Sequence, residues 1–118
     1  MISKTCKANT HKIWIAGDYD DAVRACRDFT MCGACVAVQK ADYVYTMGME
    51  AGVCVTLINY PRVPLEDDVL KSFAIQIGHH LCRALHQGSF TVEGPEEMTW
   101  FSRRESDMVE GEDADGTV

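Results

Sequence analysis

Five side chains with thiol or metal-binding chemistry fall into two groups. Cys32 and Cys35 bracket two small residues, and His79, Cys82 and His86 follow one another at steps of three and four. A C-x-x-C spacing serves either dithiol redox chemistry or half of a zinc site. Steps of three and four place the second group on one helical face, so the five could offer four ligands to zinc. Polarity speaks against redox work. Reactive thiols sit at helix N-termini, where the dipole lowers their pKa, whereas Cys32 and Cys35 follow a predicted helix end, at its negative pole. Against zinc, Cys82 adjoins an apolar stripe, His79 and His80 read as surface histidines, and nothing in the sequence brings the two groups together. The expectation is therefore no metal and no cofactor, with Cys32, Cys35, His79, Cys82 and His86 as the one set that could hold an ion.

A second constellation is Asn59-Tyr60-Pro61-Arg62, at the end of the most apolar strand and stiffened by Pro61 and Pro64. Tyr60 offers a ring and a hydroxyl, Arg62 a planar fork for phosphate or carboxylate, and Asn59 an amide for a base or sugar. The plain alternative is a turn with a solvated arginine and an asparagine that caps the strand. Arg24 and Arg27 lie one turn apart on a helix, and Arg103 and Arg104 follow Trp100-Phe101. Trp100 and Trp14 could supply stacking faces. The expected ligand-binding set is Arg24, Arg27, Asn59, Tyr60, Arg62, Trp100, Arg103 and Arg104, and its pairing of arginines with rings points to a phosphate-bearing, ring-containing small molecule. There is no P-loop, no strand-borne G-x-G-x-x-G, no H-E-x-x-H and no G-x-S-x-G. The chain is accordingly expected not to be an enzyme.

Length and charge bound the setting. The 118 residues suffice for one domain with its own core. No apolar run approaches a membrane span and no secretory signal is visible, so the chain is expected to be cytoplasmic, with its six cysteines as thiols. The net charge of −7 is concentrated at the end: residues 105–118 hold six acids and no base, and residues 1–104 hold twelve acids against eleven bases. Residues 1–104 are read as an α/β domain and 105–118 as a disordered acidic tail. With no basic run interleaved with aromatics, nucleic acid is not an expected partner.

The elements that must position these residues follow from periodicity. His11–Ala16 alternates as a strand. Asp18 caps a helix with Ala22, Cys26 and Phe29 on one face, ended by Gly33. Cys35–Val38, Tyr43–Thr46 and Val53–Tyr60 read as three strands, with a connection at Lys40–Asp42 and a turn at Met47–Gly52. After Pro64, residues Val69, Phe73, Ile77 and Leu81 mark a helix that runs to Gly88. Ser89–Glu93 and Met98–Ser102 are the last strands, joined by Gly94-Pro95. The order β-α-β-β-β-α-β-β predicts an α+β domain: a mostly antiparallel sheet of five to six strands with two helices, near ferredoxin-like. Both faces of Val53–Ile58 are apolar, which predicts burial on both sides by a helix on each face or by a homodimer.

The segments THKIWIAGD and YTMGMEAGVCVTLINYPRVP resemble small proteins encoded by tailed phages and prophages, over about residues 2–104. Length and element order are similar to a phage anti-defence family that sequesters the cyclic ADP-ribose messenger of the Thoeris immune system. That resemblance implies an oligomeric, non-catalytic binder with pockets of arginines and aromatics, acting in the host cytoplasm. Two other functions fit the residues: a homo-oligomeric protein that inhibits or binds a host protein, and a zinc or thiol protein.

Overall fold

Alternation in the first strand sorts its side chains. In β1 (His11–Ala16), His11, Ile13 and Ile15 are buried, and Lys12, Trp14 and Ala16 are half-buried on the other face. Asp18 then caps α1 (Tyr19–Thr30): its carboxylate accepts the Asp21 amide at 3.0 Å. The chain continues through β2 (Val36–Tyr45), β3 (Gly48–Leu57), α2 (Asp67–Ala84), β4 (Ser89–Glu93) and β5 (Met98–Ser102) to a 3-10 turn at Glu105–Met108. This computed structural model describes residues 1–30 and 34–108. Cys32 and the acidic stretch 109–118 lie outside the described residues.

The five strands form one antiparallel sheet in the order β2-β3-β1-β4-β5. Each helix bridges two parallel strands that have a third strand between them: α1 passes from β1 to β2 over β3, and α2 passes from β3 to β4 over β1. This is the interleaved βαβ pattern of ferredoxin-like folds, as expected. One apolar cluster takes Ile13 and Ile15 of β1, Val53, Val55 and Leu57 of β3, Phe90 and Val92 of β4, Ala22, Ala25 and Cys26 of α1, and Leu70, Ala74, Ile77 and Leu81 of α2. Both helices therefore pack on the same face, and no described element covers the other.

Two sequence expectations change. The strands expected at Cys35–Val38 and Tyr43–Thr46 are a single strand, because Lys40, Ala41 and Asp42 pair with Val53, Gly52 and Ala51. A long ladder holds polar residues that locally read as a connection. The tight turn falls at Thr46-Met47, with Met47 at φ 68°, so β3 starts at Gly48 rather than Val53. The end of α2 also differs in detail: His86, not Gly88, takes the left-handed conformation (φ 56°), and the Gln87 amide donates to the Cys82 carbonyl.

The residues before β1 are stitched to the start of α2. Lys7 pairs with Asp67 at 2.9 Å, and the Asn9 amide donates to the same carboxylate at 2.7 Å. These bonds hold the Asp67 carboxyl below the usual carboxylate range, with the Lys7 contact as the larger cause. His11 beside them is 4% exposed, and burial, reinforced by Lys71, lowers its pKa. Among the described residues its Nδ1 has no hydrogen-bond partner.

Two outcomes follow from this packing. A Cβ at Gly78 would lie 2.2 Å from the Phe90 ring, which is itself stacked on Phe101 at 4.9 Å and cannot swing aside. Gly78→Ala gains up to about 1 kcal/mol of helix propensity and loses about 1–3 kcal/mol to overpacking. Denaturant titration is expected to show net destabilisation. His11 binds its proton at lower pH in the folded than in the unfolded chain, so the unfolded state gains protons preferentially below about pH 6.5. Unfolding free energy should fall as pH drops from 7.5 to 5, and His11→Phe should flatten that limb.

Candidate functional site

The β1–β4 ladder stops early. It pairs Lys12, Ile13 and Trp14 with Glu93, Val92 and Thr91. In the same register the next positions would be Ile15 opposite Phe90 and Ala16 opposite Ser89, but these four are unpaired across the gap. They line instead a cavity of about 750 Å³, within the range of small-molecule sites. The strands diverge because each is committed elsewhere. Gly17, at φ 137° with its amide on the Ala51 carbonyl, carries the end of β1 toward β3. The start of β4 is tied to the end of α2, where Arg103 donates to the Gln87 carbonyl at 2.8 Å.

Strand parity decides what enters the gap. Trp14, Tyr43, Glu50, Thr91 and Trp100 all occupy the face opposite the helices, and all line the cavity. Tyr43 and Glu50 are cross-strand partners. The Tyr43 ring lies across Gly52, where a Cβ would come within 2.2 Å of it. Its hydroxyl donates to the Val53 carbonyl and accepts the Ile15 amide at 3.1 Å, locking the phenol onto the β1–β3 rungs. Burial pushes its pKa up to about 12, so it stays a neutral phenol. Trp14 meets Tyr43 edge-on at 6.4 Å and donates from Nε1 to Glu93 at 2.8 Å. Trp100 is 44% exposed. The remaining walls are the β2–β3 hairpin (Asp42, Val44, Tyr45) and the segment after β5 (Arg104, Asp107). Two carboxylate residues, Glu50 and Asp107, thus share this lining with one guanidinium and a floor of rings.

Of the residues singled out from sequence, this cavity brings together Trp100, Arg104 and Trp14. Arg103 points to the end of α2. Asn59, Tyr60 and Arg62 lie past the opposite end of β3. There the Asn59 amide donates to the Lys7 carbonyl at 2.8 Å and its Oδ1 accepts the Leu65 amide at 2.9 Å, a stitch of the loop. Tyr60 and Arg62 are exposed. Arg24 pairs with Asp21 on the surface of α1, and Arg27 is exposed in its last turn. Sequence alone does not mark Tyr43 and Glu50, because local pattern places Tyr43 in a short strand and Glu50 in a turn. The alternation Ala41, Tyr43, Tyr45 was the available signal.

The described members of the thiol and histidine group, Cys35, His79, Cys82 and His86, do not assemble into a site. Among the described residues no three His, Cys, Asp or Glu side chains are placed to hold a metal ion. His79 packs edge-on against Phe90 and Phe101 at 5.1 and 5.3 Å. Cys82 donates to the Gln87 carbonyl. His86 and Cys35 are exposed. Burial pushes the Cys26 thiol up to about 11, which leaves it inert.

No family model matches the chain, and no curated protein matches it. Two solved structures share its fold. A phage SAM lyase in its apo state superposes with a TM-score of 0.68 at 13% identity, over 86% of this chain and 95% of the other. A phage SAM lyase in complex with S-methyl-5'-thioadenosine superposes at 0.64 and 13% identity, over 93% and 98%. Both neighbours are phage proteins, and neither belongs to the messenger-sequestering family. They correct the expectation that this chain is not an enzyme: a fold with no recognisable catalytic motif is here the fold of a lyase.

Tyr43→Phe removes the side-chain oxygen bonded to the Ile15 amide. It should cost about 1–3 kcal/mol in urea denaturation and loosen the cavity floor. An unchanged unfolding midpoint would show that the phenol does not hold these strands.

Proposed function

We propose that this chain binds S-adenosylmethionine in the cleft between β1 and β4 and breaks a carbon–sulfur bond of it, releasing S-methyl-5'-thioadenosine. The observation that carries this reading is the cleft lining: rings and carboxylates outnumber the single guanidinium. A phosphate ester, the ligand class expected from sequence, would meet the carboxylates of Glu50 and Asp107 there. A nucleoside sulfonium fits both features. Its adenine can stack on an indole, and its cation is attracted by aromatic faces and carboxylates. Trp100, half exposed at the rim, is the stacking platform in this reading. Glu50, on the hairpin, faces the positive charge. The fold shared with phage SAM lyases supports the same assignment.

The chemistry asks little of a catalytic side chain. The substrate's own carboxylate oxygen attacks the methionyl γ-carbon as its bond to sulfur breaks; the electron pair stays on sulfur, and the products are a neutral thioether and a five-membered lactone. A lyase adds no water, so the four-carbon fragment departs one water lighter than a hydrolysis product. The indole and phenol walls would keep water from the reacting carbon, and the Glu50 carboxylate would hold the cation in place. Consumption of the methyl donor would withhold it from host methylating enzymes, which gives an anti-defence role a chemical form.

The test is incubation of the purified protein with S-adenosylmethionine and mass spectrometry of the products. S-methyl-5'-thioadenosine and the anhydrous four-carbon fragment should appear. Trp100→Ala should raise KM by about tenfold or more, and Glu50→Gln should lower kcat/KM. Absence of turnover, with no saturable binding of either nucleoside, would sink the proposal.

A further inference from the structure

We propose that Arg104 reads a carboxylate on the ligand of this cleft and that Asp107 occupies the guanidinium until that carboxylate displaces it; this rests on the site reading above. The position of Arg104 is built. Its neighbour Arg103 is fixed on the end of α2, with Nε on the Gln87 carbonyl and its own amide on the Gly88 carbonyl at 2.9 Å. Arg104 lies over Gly88, where a Cβ would come within 2.6 Å of its Nε. The missing side chain at position 88 makes room for the guanidinium at the mouth of the cavity.

Its partners hold it loosely. Nη1 is 3.3 Å from the Asp107 carboxylate and Nη2 is 3.4 Å from the Ser89 hydroxyl. Both are longer than good charge-assisted bonds, and neither uses the paired fork that guanidinium offers a carboxylate. The pair is also half exposed, with 47% and 28% of the two side chains open, so it contributes little on its own. Asp107 has a second anchor, the Ser102 hydroxyl, which donates to the same oxygen. It sits on a single 3-10 turn beyond the last strand, and its withdrawal disturbs no sheet rung. A ligand carboxylate entering the fork side-on would replace one long contact with two short ones and leave Asp107 with Ser102. The carboxylate of an amino-acid-bearing nucleoside is the matching group, and a nucleoside without it gains nothing from Arg104.

Two probes separate these roles: S-adenosylhomocysteine, which carries the amino-acid carboxylate, and S-methyl-5'-thioadenosine, which lacks it. Calorimetric titration of the full chain should show that Arg104→Ala weakens the first by about tenfold or more and leaves the second nearly unchanged. Retained binding of the second also reports that the variant is folded. Asp107→Asn should strengthen the first severalfold and leave the second alone. Equal effects on both probes, or no gain in Asp107→Asn, would overturn the role of Arg104 and Asp107 while the site reading stands. Binding of neither probe by the unmodified chain would overturn both.

Discussion

The β1–β4 ladder has three paired positions, and the site depends on its stopping there. Backbone N–H and C=O groups at a strand edge normally find partners, so a sheet opens only where its strands are held by something else. β1 is held by β3 through six paired positions and then by the Gly17 amide on Ala51. β4 is held by five pairs with β5 and by the tie between Arg103 and the end of α2. With both strands claimed from their outer sides, the rung from Ala16 to Ser89 is not formed. The gap is the mouth of the cavity.

Packing the two helices together on one face has the second large consequence. Their apolar stripes meet Ile13, Ile15, Val53, Val55, Leu57, Phe90 and Val92 in one cluster, which takes most inward positions of the central strands. The outward positions are then free of core duty. They carry Trp14, Tyr43, Glu50, Thr91 and Trp100, residues with rings, hydroxyls and charge. Strand alternation converts one sequence into two surfaces with different chemistry, one dry and one suited to a polar, ring-bearing ligand.

The charge balance of that second surface comes from its two ends. The β2–β3 hairpin extends past β1 and brings Glu50 to one side. The segment after β5 brings Arg104 and Asp107 to the other. A zwitterionic ligand would find its cation and anion partners on opposite walls. Cysteine chemistry has no part in this arrangement: Cys26 and Cys82 are buried within the helix layer, and burial raises the Cys26 thiol further from reactivity.

Residue order alone determined the parts whose causes are local. The strand period of His11–Ala16, the Asp18 cap, the four-residue steps of α2 and the Gly94-Pro95 turn each depend on neighbours in sequence, so the α+β class and element order were readable, apart from one strand. That strand shows the limit. Lys40-Ala41-Asp42 has the local signature of a connection, but pairing with Val53, Gly52 and Ala51 holds it extended, and the continued alternation puts Tyr43 on the open face. Trp100 and Arg104 could be named because a ring beside a guanidinium is visible in one dimension. Asn59-Tyr60-Pro61-Arg62 showed the same local pattern, yet it lies at the far end of β3, where Asn59 stitches a loop. Which of two such clusters meets a cavity depends on where β1 and β4 part. That was decided only by tertiary structure, because the Gly17–Ala51 and Arg103–Gln87 contacts that part them join residues far apart in the chain.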